Sequence, residues 1–222
     1  MTDLSDPQMG ELIQMEADMN PYDVIADFEK DLCAYTGAKY AVATNSCTNA
    51  LLICMLHQKS MEESFRPTIS IPKRTYVGVP MAARLAGYDI QFDNREWDGM
   101  YRLKPYPIFD SARWLFKDMY SGLRGDFVCL SFHWTKHLKL GHGGAILHNS
   151  DEADHILRRM RFDGRSEGVR PKDDTFPVLG VHAPMLPSVA ADGRVRLGLL
   201  SYDNDPLPNS DYPDLSKYRV FG

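Results

Sequence analysis

Lys136 stands out for its position. It follows the apolar run Phe127 to Phe132, within the stretch Ser131-Phe-His-Trp-Thr-Lys136-His-Leu-Lys-Leu-Gly-His-Gly-Gly144. A strand ending there puts a primary amine on rigid backbone at the strand end, where ligands of α/β proteins gather. The glycines behind it let backbone approach closely. Asp110 ends an earlier apolar run, Tyr106-Pro-Ile-Phe-Asp110. An acid at one strand end and a lysine at a later one are the pair that a pyridoxal phosphate site needs. The lysine forms a Schiff base, and the carboxylate keeps the pyridine nitrogen protonated so that the ring accepts electrons. Plainer readings stand beside this one. Most lysines are solvated surface charges, and Lys73 and Lys139 rival Lys136 on spacing. An aspartate at a strand end is also a helix N-cap, or a partner for the nearby Arg113.

Two further signals precede the acid. Asn45-Ser46-Cys47-Thr48 lies between a strand and a helix, where backbone N–H groups and hydroxyls form an anion site as well as a cap. Thr75-Tyr76-Val77-Gly78 lies at the next such junction, where an aromatic stacks on a planar ligand or joins the core. Phosphate cup, ring stacker, acid and lysine therefore occur in the order in which such a site is assembled along a chain. His133, His137 and His142 have neither an H-E-x-x-H pattern nor an acidic ligand nearby, so no metal site is expected. The glycine patterns of dinucleotide folds, P-loops and nucleophile elbows do not occur.

The elements that must position these residues follow from periodicity. A helix is expected from Pro21 to Tyr35, with Gly37 as its cap, and a strand over Tyr40–Thr44. Helices are expected from Asn45 to His57, Val77 to Ala86 and Asp151 to Met160. Strands are expected at 68–72, 88–92, 106–110, 126–132 and 143–148. Alternating strands and helices predict an α/β fold, a mainly parallel sheet flanked by helices on both faces. Residues 1–20 read as a polar lead-in with a short helix, 21–200 as the cofactor-binding domain, and 201–222 as an irregular tail. At 222 residues the chain can bury one sizeable core, and 44% apolar with 25% charged residues is ordinary for a globular protein. A net charge of −5 offers no attraction to nucleic acid or anionic membrane. No apolar run is long enough to span a bilayer and no signal peptide is visible, so the reading is cytoplasmic. Cys33, Cys47, Cys54 and Cys129 lack paired spacing and read as reduced thiols.

With these residues in hand, the chain resembles the DegT/DnrJ/EryC1/StrS family of sugar aminotransferases, a branch of the fold-type I pyridoxal phosphate enzymes. Ser46-Cys47-Thr48-Asn49-Ala50-Leu51 resembles the family's S-G-T-x-A-L loop. Phe109-Asp110-Ser111-Ala112-Arg113 resembles E-D-x-A-Q, Ser131-Phe132-His133-Trp134-Thr135-Lys136 resembles S-F-H-x-x-K, and Gly141-His142-Gly143-Gly144-Ala145 resembles G-E-G-G-A. The resemblance implies that Lys136 carries the cofactor and moves the substrate proton, and that Asp110 binds the ring nitrogen. Tyr76 and Ala112 would cover the two ring faces, and Ser46, Cys47, Thr48 and Ser131 would hold the phosphate. Arg113 and His137 stand where the family has glutamine and asparagine. It further implies a homodimer with shared active sites, glutamate as donor and a keto sugar nucleotide as acceptor. The family's chain runs on into a small C-terminal domain, whereas this one ends at Gly222, so a short form lacking that domain is expected. A protein of the same fold that binds cofactor or a partner without transfer is the alternative. A sugar dehydratase is another, although that branch replaces the lysine with histidine.

Overall fold

The computed structural model describes residues 20–62, 66–209 and 211–221. The lead-in helix expected within residues 1–20 lies outside the described residues. Helix α1 (Pro21–Thr36) starts where Asn20 Oδ1 accepts from Tyr22 N–H, and it ends at Gly37, whose φ of 76° closes the cap onto Cys33 O. Strand β1 (Tyr40–Thr44) leads into α2 (Cys47–Ser60), capped by the Ser46 hydroxyl on Asn49 N–H. Then come β2 (Thr68–Pro72), α3 (Gly78–Leu85), β3 (Asp89–Asp93), β4 (Tyr101–Leu103), β5 (Ile108–Asp110), β6 (Phe127–Ser131) and β7 (Gly144–His148). Helix α4 (Asp151–Arg161) carries acids in its first turn and arginines in its last, complementing its dipole. Helix α5 (Pro187–Gly198) follows. Among the described residues, no helix is long and apolar enough to cross a membrane.

Five strands form one sheet in the order β1-β7-β6-β5-β4, and β2 and β3 form a second, joined to the first by a bridge between Ser70 and Lys104. Neighbouring residues of each central strand face opposite ways. Phe127, Cys129, Ile146 and Val42 enter one apolar layer with α2 and α3, while Val128, Leu130, Ala145, Leu147, Ala41 and Ala43 enter the other with α1 and α5. Each fully buried leucine or valine here stabilises the fold by roughly 1.5–3 kcal/mol. The three-layer α/β architecture agrees with the expectation, but the sheet is mixed rather than mainly parallel. Only β2–β3 and β5–β6 pair in parallel; β1–β7, β6–β7 and β4–β5 are antiparallel. The reason at β4–β5 is chain length: the short link from Leu103 to Ile108 permits only a hairpin, since a parallel return needs a long crossover.

Candidate active site

The C-terminal ends of β5 and β6, the N-terminus of α2 and the start of α3 surround a cavity of about 360 Å³. The α2 side is built by a close approach of backbones. A Cβ on Gly144, the first residue of β7, would come within 2.5 Å of Cys47 N and 2.7 Å of Leu130 O. Only glycine therefore lets the Ser46–Cys47 turn lie across β7, which puts the positive end of α2 at the cavity wall. Ser46, Cys47 and Thr48 line that wall, and Ser131 joins them from the end of β6. Gly78 does the same service for Tyr76: a Cβ there would meet the Tyr76 ring at 2.6 Å and Thr48 Oγ1 at 2.9 Å. The Tyr76 ring is half exposed over the cavity.

Asp110 is buried at the cavity floor. Its Oδ2 accepts from Tyr101 Oη at 2.9 Å and its Oδ1 from Ala112 N–H at 3.0 Å, while Tyr101 Oη also meets Thr75 Oγ1 at 2.7 Å. Burial pushes the Asp110 carboxyl above its ordinary pKa, against the opposing pull of the Ala112 amide, the Tyr101 hydroxyl and the Lys136 charge. Among the described residues, Asp110 has no basic partner at ion-pair distance.

Lys136 comes from the loop between β6 and β7, pinned at both ends by buried Phe132 and Leu140, with Leu140 N–H on Phe132 O and Lys136 N–H on His133 O. It is half buried and lines the same cavity as Asp110. Burial lowers its pKa, helped by the Arg113 charge and opposed by Asp110 and Cys47. Of the rival lysines, Lys73 pairs with Asp214 at 3.2 Å outside this cavity, and Lys139 is exposed.

Nine of the ten residues predicted for the site thus line one cavity: Ser46, Cys47, Thr48, Tyr76, Asp110, Ala112, Arg113, Ser131 and Lys136. His137 does not; it turns toward the backbone of Arg113 and Asp205, and burial lowers its pKa. Arg113 does not pair with Asp110. Its guanidinium donates to Leu207 O and Pro208 O, and Leu207 N–H returns a bond to Arg113 O. Sequence reasoning missed Thr75, Tyr101, Trp97 and Tyr212. Trp97 and Tyr212 stack with ring centroids 6.3 Å apart and line the cavity with Thr75. No local pattern marks them, because strands and tail bring them together from distant parts of the chain.

Ser46–Thr48, Tyr76, Asp110 and Lys136 thus meet at the strand ends of an α/β fold that is shared with pyridoxal phosphate-dependent aminotransferases. The chain matches the DegT/DnrJ/EryC1/StrS aminotransferase family over residues 7–98 and 111–204, and it belongs to that family. No curated protein sequence matches it. Its structure is similar to a DegT DnrJ EryC1 StrS aminotransferase from Brucella abortus, with a TM-score of 0.65 at 18% identity, covering 85% of this chain and 61% of that one. Helicobacter pylori PseC, an aminotransferase involved in the biosynthesis of pseudoaminic acid, gives 0.62 at 16% identity, covering 82% and 58%. The ntda protein from Bacillus subtilis, solved with bound cofactor PMP, gives 0.62 at 18% identity, covering 78% and 47%. The chain spans 47% to 61% of the length of these relatives, and at such identities the likeness concerns the fold.

Proposed function

We propose that the protein is a pyridoxal phosphate-dependent aminotransferase that moves the amino group of glutamate to a keto group on a nucleotide-linked sugar. The observation that carries this reading is the shared cavity of Lys136 and Asp110, with the Ser46–Thr48 turn at its rim. The residues present fit the cofactor. Asp110 is a buried acid in want of a cation, which a protonated pyridine nitrogen supplies, and the glycine-cleared turn at α2 suits a phosphate. When bound, pyridoxal phosphate supplies an aldehyde that takes up the amino group and a ring that draws off electrons.

The protein's own residues do the rest. Lys136 Nζ, whose free-base form is favoured by burial, would hold the cofactor and would take and return the proton at the substrate carbon. Asp110 would hold the ring nitrogen in its protonated form. Ser46, Cys47, Thr48 and Ser131 bind the phosphate, while Tyr76 and Ala112 confine the ring. Arg113, tied to the tail, keeps a positive charge beside Lys136. The same reading makes the protein a cytoplasmic homodimer. The exposed apolar residues Val77, at the N-cap of α3, and Met81 and Leu85 on that helix, next to Tyr76, support a partner at the cavity mouth.

The test is a half-reaction. Purified protein is loaded with pyridoxal phosphate and its visible absorbance followed as glutamate is added. Conversion to the amino form of the cofactor with release of 2-oxoglutarate is expected. A band unmoved by glutamate would overturn transfer and leave a binding protein of the same fold.

A further inference from the structure

Residues 202–208 of the tail run alongside the loop 111–117, which leaves the cavity floor directly after Asp110, and hydrogen bonds join the two along their length. Lys117 N–H donates to Tyr202 O at 3.0 Å, and Asn204 Nδ2 donates to Leu115 O at 2.8 Å. Trp114 Nε1 donates to Asn204 O at 2.7 Å, and Leu207 N–H donates to Arg113 O at 2.9 Å. Arg113 closes the series, with Nε on Leu207 O at 3.3 Å and Nη2 on Pro208 O. The Lys117 ammonium also lies 4.3 Å from the centre of the Tyr202 ring. A loop fastened to its neighbour at this many points loses the freedom that loops ordinarily keep.

The clasped loop supplies Ala112 and Arg113 to the cofactor cavity. Arg113 is buried, and carbonyl oxygens of the tail orient its planar guanidinium. Around the same cavity, Lys136 meets Asp110 from β5, Cys47 from α2, Tyr76, Tyr212 of the tail, and His133 and His142 of its own loop. Burial favours the free amine of Lys136 and Arg113 acts in the same sense, while Asp110 and Cys47 act against them. A guanidinium keeps its charge at pH values where carboxyls and imidazoles change theirs, so its influence on a neighbouring amine is constant.

We propose that residues 202–208 form a clasp that sets the cofactor cavity in order, with Arg113 as the positioning residue that carries its effect to Lys136. The cofactor-bearing role of Lys136 rests on the transamination reading. The coupling of clasp, guanidinium and amine does not, since it exists in the cofactor-free protein.

The experiment labels the whole chain, free of cofactor, with trace acetic anhydride across a range of pH. Acetylation of Lys136, located by peptide mass spectrometry, gives the midpoint of its titration. Arg113→Gln should move that midpoint to higher pH, because the like charge beside the ammonium is gone. Arg113→Lys keeps a charge and should return the midpoint most of the way. Trp114→Phe removes the bond to Asn204 O and leaves Arg113 in place; it should move the midpoint in the same direction by less. An unmoved midpoint in Arg113→Gln, or equal shifts in Arg113→Gln and Arg113→Lys, overturns the role of the guanidinium. A Trp114→Phe midpoint identical to the parent overturns the clasp, and this arm decides the matter should Arg113→Gln fail to fold. The glutamate half-reaction is scored separately on loaded protein. Shifted midpoints without transfer keep the clasp and remove transamination, whereas transfer with unmoved midpoints does the reverse.

Discussion

Lys136 and Asp110 are shifted in opposite directions by one cause. Burial favours the uncharged form of each, lowering the amine and raising the acid, although each charge draws the other back. Lys136→Ala should therefore abolish covalent attachment of pyridoxal phosphate while leaving residual binding through the α2 turn. A variant whose cofactor spectrum matched the parent would remove Lys136 from the mechanism. For Asp110 the sign of the effect on stability is specific. Its folded-state pKa lies above the unfolded one, so its contribution is present at low pH and is lost as pH rises through the folded value. At neutral pH the cofactor-free fold carries a penalty. Asp110→Asn should therefore raise the melting midpoint of cofactor-free protein at pH 7. It should also remove most of the stabilisation that pyridoxal phosphate confers and most of the turnover. A lower midpoint at pH 7, measured by calorimetry, would contradict this balance.

Between elements, close backbone approach positions the site. The Cβ of a Gly144→Ala variant would press on Cys47 N, Ser46 C and Leu130 O, all backbone atoms that cannot swing aside. Such overpacking costs about 1–3 kcal/mol, and it should weaken cofactor binding at least about tenfold by displacing the α2 turn. Gly198→Ala is the control, since nothing lies within 4 Å of its Cβ and it sits at the end of α5. Unchanged affinity in Gly144→Ala, read by cofactor titration, would sink this account of the turn. Much at this scale was legible in the sequence. Pro21 and Gly37 marked both ends of α1, and the apolar runs before Asp110 and Ser131 marked β5 and β6. Strand β4 was not legible, because three residues carry no period and its partner is reached through a hairpin. Helix α5 was missed for a different reason. Its mixed composition has little helical pattern, and its position follows from packing on α1, where Gly193 admits the ring of Phe28. Strand direction was misjudged wherever an irregular loop replaced a crossover helix.

Across the molecule, a buried ionic knot ties the N-terminal helix to the sheet and to α4. Glu29 Oε1 accepts from Ala43 N–H at 2.8 Å and from Arg161 at 2.5 Å, and Oε2 accepts from Arg158 at 2.6 Å. Arg158 continues to Asp154 and Ala41 O, and Arg161 to Ala43 O and Glu167. Glu29→Ala would remove the carboxylate that Arg158 and Arg161 share, leaving each with one acidic partner, Asp154 and Glu167, a loss of roughly 1–3 kcal/mol. Urea unfolding checks this, and a loss below about 1 kcal/mol would show that the knot is redundant. The tail belongs to this scale too. Its described residues hold two short 3₁₀ turns, and nothing in its composition announced that Tyr212 would reach the cavity.

Among the described residues, β7 is the one strand paired with the edge strand β1, and its residues follow by roughly one hundred positions. A nascent chain leaving the ribosome therefore holds Tyr40–Thr44 without a neighbour until Gly144–His148 has been made. Late closure of this kind raises contact order, slows folding and leaves an unpaired edge open to stray association. The N-terminal third of the polypeptide must accordingly wait for His148 before its register can lock.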